Sequence, residues 1–301
     1  MQEKYLKLYR TIIYNLRFLP RAIGHRCKKN LRQALGKPGR PVQSRLVFVI
    51  SFPRSGTTAL GSLLQQPEAK MNYHGEFFAF NHWSQAVSPL SKTYPLFSLR
   101  FFIGHFRQKR KWKYYCYEAS RLSPDKTMSA IMEIPGDHVF KIFPFHLSDK
   151  ALTDLIEKYR PDIMFLRRNH LDRLVSHRKA MATGTWHGVA TEGVEVEIPV
   201  KLINKYMEDY VNFYTLMKKT AVASECKIID IEYEHLFEPE TTKKVLEFIT
   251  GDPARVAALN IKPRTLKQDT QDLSQQAFFE KLAKEGIQKE ISDFDFRKIE
   301  V

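Results

Sequence analysis

Leu46-Val47-Phe48-Val49-Ile50 is a short apolar run, Ser51-Phe52-Pro53-Arg54-Ser55-Gly56-Thr57-Thr58 is a turn, and Thr58-Ala59-Leu60-Gly61-Ser62-Leu63-Leu64 carries a helical pattern. Strand, phosphate-type loop and helix in that order open many parallel α/β folds. The start of such a helix offers backbone N–H groups and a positive dipole end to an anion. Gly56 lets the backbone approach closely, Arg54 adds charge, and Ser55, Thr57 and Thr58 add hydroxyl donors. The loop departs from the nucleoside-triphosphate pattern GxxxxGK[ST]. Ser51 stands at its first glycine and Thr57 at its lysine, which weighs against ATP or GTP.

Outward from this unit, apolar runs recur at 139–143, 163–166 and 228–231, separated by helical patterns at 152–159, 172–182, 202–220 and 241–249. The alternation predicts a P-loop-like three-layer α/β fold, with a mainly parallel sheet flanked by helices. Residues 93–121 read as a basic, aromatic-rich, helical insertion. Residues 1–44 read as a basic amphipathic extension and linker, leaving one domain at 45–301. The extension suits an anionic membrane surface or a helix packed on the domain.

The 301 residues carry 48 Lys and Arg against 33 Asp and Glu, a formal charge of +15. That excess favours anionic partners without defining a fold. Three widely spaced cysteines make a disulfide framework a poor expectation. No clustered ligand motif suggests a metal. No apolar stretch approaches the roughly 20 residues of a membrane span. These features predict a cytoplasmic protein, peripheral to a membrane where the extension engages one.

A second block sharpens the expectation: Leu166-Arg167-Arg168-Asn169-His170-Leu171-Asp172-Arg173-Leu174-Val175-Ser176. With Phe52-Pro53-Arg54-Ser55-Gly56-Thr57-Thr58 it resembles the two nucleotide-binding motifs of the sulfotransferases that use 3′-phosphoadenosine-5′-phosphosulfate (PAPS). The resemblance covers residues 46–250. It implies that the first loop holds the 5′-phosphosulfate, and that Arg168 and Ser176, eight positions apart, hold the 3′-phosphate. His170 stands where the family usually has proline after Arg-Asn. The placement is also sensible physically, because Arg168 follows a strand and Ser176 lies two turns into the next helix.

Further likenesses supply the remaining candidates. His74-Gly75-Glu76-Phe77-Phe78 resembles a motif of bacterial carbohydrate and glycolipid sulfotransferases, whose glutamate deprotonates the acceptor hydroxyl. Glu76 is thereby the first candidate for the base, and His146 the second. Lys141, in Phe140-Lys141-Ile142-Phe143-Pro144-Phe145-His146, would be costly inside a strand unless it met an anion. Tyr233, in Glu232-Tyr233-Glu234-His235-Leu236, suits either the adenine or the core. Lys262-Pro263-Arg264-Thr265-Leu266-Lys267-Gln268 resembles a late family stretch that closes over donor phosphates.

The resemblance thus implies a PAPS-dependent sulfotransferase acting on a hydroxyl of a carbohydrate or glycolipid, with no metal. Another lipid or small-molecule acceptor, or a P-loop nucleotide phosphotransferase, is the alternative. The basic, aromatic segment 107–115 also fits nucleic acid, but it equally fits an anionic glycan or headgroup, and a nucleic-acid partner is not expected.

Overall fold

The computed structural model describes residues 44–66, 69–78, 124–132, 136–184, 194–196 and 198–259, with Glu280 and Lys284. The N-terminal extension, the insertion at 93–121, the 262–268 stretch, Cys27 and Cys116 lie outside these residues. Five strands, β1 (Leu46–Ser51), β2 (Met71–Gly75), β3 (Asp137–Ile142), β4 (Asp162–Arg167) and β5 (Ile228–Glu232), form one parallel sheet in the order β2-β3-β1-β4-β5. The helices are α1 (Thr57–Leu64), α2 (Pro124–Ile131), α3 (Asp149–Tyr159), α4 (His170–Thr183), α5 (Val200–Ala223), α6 (Pro239–Thr250) and α7 (Pro253–Ala257). The anticipated α/β architecture is present. β1 and β3 are buried along their whole length, as strands covered on both faces must be.

The chain divides into two compact units, Met1–Val47 with Lys70–Leu155, and Phe48–Ala69 with Ile156–Val301. In the first, β2 pairs with β3 from Met71↔Asp137 onward, and the register slips between Tyr73 and Gly75. The Asp137 carboxylate accepts from the Arg45 backbone N–H at 3.0 Å. The core there is aromatic. His74 stacks on Phe140 at 4.3 Å between centroids, and Phe77 and Phe78 close around the same ring.

In the second unit, β4 pairs with β5 in unbroken register from Ile163↔Ile228 to Arg167↔Glu232. Arg167 clamps this pair by a bidentate contact with Asp230, at 2.7 and 2.8 Å. Helix α5 presents Tyr206, Tyr210, Phe213, Tyr214 and Met217 along one buried stripe, the spacing of a helical face. Phe52 docks into that stripe, with ring centroids 5.2 to 5.8 Å from Tyr206, Tyr210, Phe213 and Tyr214. The residue that opens the phosphate-type loop is therefore also a core anchor.

Candidate functional site

The loop between β1 and α1 is held in an unusual backbone conformation. Arg54 and Gly56 both have positive φ, 71° and 80°. For arginine the left-handed region costs roughly 1–2 kcal/mol and persists only where neighbours enforce it. Three contacts do so. Arg173 Nη1 donates to the Pro53 carbonyl at 3.2 Å, and Arg168 Nη1 donates to the Arg54 carbonyl at 3.2 Å. Arg54 Nε donates to Ser176 Oγ at 3.0 Å. Gly56 has a second reason to be glycine, since a Cβ built there would run into the Tyr233 ring. Ser55 and Thr57 are buried beneath the loop, while Thr58 is exposed on the first turn of α1.

The two nucleotide motifs meet in this unit. Arg168 lies just past β4, and Ser176 lies within α4. Asn169 caps that helix, its Oδ1 accepting from the Asp172 N–H at 3.2 Å. Arg54 is pushed below the ordinary arginine range first by burial and then by the Arg168 guanidinium. Burial, followed by the guanidiniums of Arg173, Arg54 and Arg178, brings His177 down to about 4. Cationic groups crowd one small region, and an anion relieves that crowding. Tyr233 is half-buried against the loop, with the Arg168 guanidinium 5.0 Å over its ring.

The first unit gathers the other candidates. Lys141 is buried within β3, and its ammonium lies 3.0 Å from a Glu76 carboxylate oxygen. The strand lysine thus meets an anion, and the Glu76 carboxylate has an ammonium partner, while Phe77 and Phe78 turn into the aromatic core. Glu76 directly follows β2 and retains 29% of its side-chain exposure, enough to reach a solute. His146 is fully buried, and its Nδ1 accepts the Phe143 N–H at 3.2 Å. The His146 backbone N–H in turn donates to the Phe143 carbonyl at 3.0 Å, so ring and backbone together fasten the turn after β3. That turn displays Phe145, 56% exposed.

Two features of the site were not singled out in the sequence. Arg173 is buried, with its guanidinium 3.9 Å over Tyr206 and 5.3 Å over Phe52. His74 and His138 are both buried and share a 2.9 Å hydrogen bond one residue before Gly75. Burial and the neighbouring His138 hold His74 well below the usual histidine range, so one neutral ring donates to the other. Neither signal is visible in composition, because each depends on a partner distant in sequence.

A parallel α/β sheet with a phosphate-type loop after its first strand and cationic residues at the end of β4 defines a P-loop-like group-transfer fold. The family model of the Sulfotransferase family matches residues 47–250, about two thirds of the chain, and the protein belongs to that family. It is a sulfotransferase. No curated protein matches the chain. Among the described residues no group of three or more His, Cys, Asp or Glu side chains is arranged to hold a metal ion, and no helix is long and apolar enough to cross a membrane.

Proposed function

We propose that the sulfuryl donor is PAPS and that the acceptor is a hydroxyl of a carbohydrate or glycolipid. The observation that carries the donor half is the convergence of Arg54, Arg168 and Ser176 on one strained loop. These groups fit a polyanionic nucleotide, since they supply two guanidiniums, a hydroxyl and a helix start. Bound PAPS supplies a sulfuryl group on a good leaving phosphate. Arg54 and the loop N–H groups stabilise charge on the 5′ side, while Arg168 and Ser176 hold the 3′-phosphate. A nucleoside-triphosphate reading is disfavoured by Thr57 at the lysine position and by Asp230, whose carboxylate is committed to Arg167.

On the acceptor side, Glu76 takes the hydroxyl proton, and Lys141 keeps the carboxylate oriented. His146 remains the second candidate, although its buried Nδ1 holds the turn. Support for a sugar comes from the mixed character of this unit, where an exposed ring, Phe145, stands on the same turn as a buried histidine, and the adjoining Phe143 ring lies 5.6 Å from the Lys141 ammonium. A sugar ring likewise joins an apolar C–H face to a polar edge. The 1–44 extension would bring such an acceptor to hand at an anionic lipid surface.

The test is a thermal-shift series with adenosine 3′,5′-bisphosphate, adenosine 5′-phosphate and ATP with magnesium. Only the 3′-phosphorylated nucleotide should raise the midpoint strongly. Arg168→Ala and Ser176→Ala should each weaken its binding by roughly 10- to 100-fold, the scale of a hydrogen bond to a charged group, and erase the 3′-phosphate preference. Equal shifts from all three nucleotides would count against the donor.

A further inference from the structure

The residue that breaks the family pattern, His170, has a place in the geometry. It is the first residue of α4, where proline is favoured because the backbone N–H has no intrahelical acceptor. Here a side chain with a hydrogen-bonding edge stands in its stead. His170 Nδ1 lies 2.8 Å from Tyr206 Oη, and Arg173 Nε donates to the same Oη at 3.0 Å. The Tyr206 hydroxyl is thus held from two sides, accepting from Arg173 and paired with His170 Nδ1. Burial and the guanidiniums of Arg173 and Arg167 bring His170 down to about 4, so its neutral ring shares one hydrogen bond with the Tyr206 hydroxyl. The other arm of Arg173 ends on the Pro53 carbonyl, inside the phosphate loop.

We propose that His170, Tyr206 and Arg173 form a positioning relay that sets the phosphate loop for donor binding. The chain of contacts runs from the start of α4, across α5, to the residue preceding Arg54. Each link constrains the next. His170 orients the Tyr206 hydroxyl, the hydroxyl fixes the Arg173 guanidinium, and the guanidinium holds Pro53 while stacked against Phe52 and Tyr206. A lysine at 173 would keep the charge, but its single ammonium cannot reproduce a planar fork with two separate acceptors. The three residues hold the loop rather than the reacting atoms, through contacts to one another and to the Pro53 carbonyl. They act through Arg54, whose left-handed conformation costs energy unless the loop on both sides is held. The inference deepens the donor assignment above and rests on it only for its choice of nucleotide.

The experiment is a double-mutant cycle on the full chain with two readouts, the affinity for adenosine 3′,5′-bisphosphate and hydrogen–deuterium exchange of the backbone over residues 52–58. Tyr206→Phe removes one hydroxyl without changing the ring. It should weaken nucleotide binding by about 3- to 10-fold, as loss of a single hydrogen bond does, and speed exchange in the loop. His170→Leu should reproduce both effects, whereas His170→Asn, which keeps a hydrogen-bonding group near the Nδ1 position, should leave binding and exchange close to those of the parent. The double variant His170→Leu/Tyr206→Phe should be no worse than Tyr206→Phe alone. Additive losses, or loop exchange unchanged in Tyr206→Phe, would overturn the relay. If the parent protein does not bind the bisphosphate, the donor assignment fails by itself, and the exchange readout still decides the relay.

Discussion

At the scale of single residues, the chemistry of the acceptor half turns on one carboxylate. Glu76 is positioned by the backbone slip at the end of β2 and by a 3.0 Å contact with Lys141. Glu76→Gln keeps the shape and can still accept from the ammonium, but loses proton affinity. Turnover should fall by roughly 10²- to 10⁴-fold with nucleotide affinity unchanged, the range for removing a general base. His146→Ala separates the two candidates. Its loss leaves the Phe143 N–H without its ring acceptor, so the thermal midpoint should drop, while residual turnover per folded molecule should stay near that of the parent. Steady-state rates normalised to folded protein check both outcomes. Abolished turnover in His146→Ala beside an active Glu76→Gln would reverse the roles.

At the scale of elements, the junction of loop and helix α1 explains a glycine that pattern alone leaves ambiguous. Gly56 combines φ 80° with a Tyr233 ring lying where a side chain would begin. Gly56→Ala should therefore lose nucleotide binding and lower the thermal midpoint. Gly56→Ala/Tyr233→Ala should recover the part due to the ring but not the backbone part, roughly 1–2 kcal/mol for a non-glycine residue in the left-handed region. Unfolding curves of the three proteins measure the split. The same junction shows what sequence can and cannot convey. The apolar runs of β1, β3 and β4 were legible because these strands are buried along most of their length, and β5 was legible through its isoleucines although it is only partly covered at the sheet edge; the structure lengthens β4, for example, only from 163–166 to 162–167. β2 was not legible as a strand. It lies at the sheet edge and reads Met71-Asn72-Tyr73-His74-Gly75, with neither a continuous apolar run nor clean alternation. The motifs group Arg54, Arg168 and Ser176, and the structure places Arg54 in contact with both of the others. Arg173 was not legible, because a buried arginine declares itself only through Tyr206 and Pro53, 33 and 120 positions away.

At the scale of the whole molecule, a formal charge of +15 and three histidines shifted downward, His74, His170 and His177, make acid a specific stress. His170 and His177 are each brought down to about 4 in the folded chain, against an ordinary value of 6.5. His74 is shifted in the same direction by burial. Above pH 6.5 these groups are neutral whether the chain is folded or not, so their burial carries no pH-dependent penalty. Between 6.5 and about 4 the unfolded chain takes up protons that the folded chain refuses, and stability falls as pH falls. His235 acts oppositely. Its hydrogen bond to Glu238 raises it, so it favours the folded chain at low pH, although it sits on the surface where solvent screens the pair. The three downward-shifted histidines outnumber it, and the net sign is destabilisation on acidification. The thermal midpoint of the parent protein should therefore decline from pH 7 to pH 5, a window above the ordinary carboxylate values of about 4. A His170→Asn/His177→Gln protein should decline less over the same window, because two of the refusing groups are gone. A parent midpoint that stays level or rises across those two pH units would show that these histidines are not held neutral in the fold.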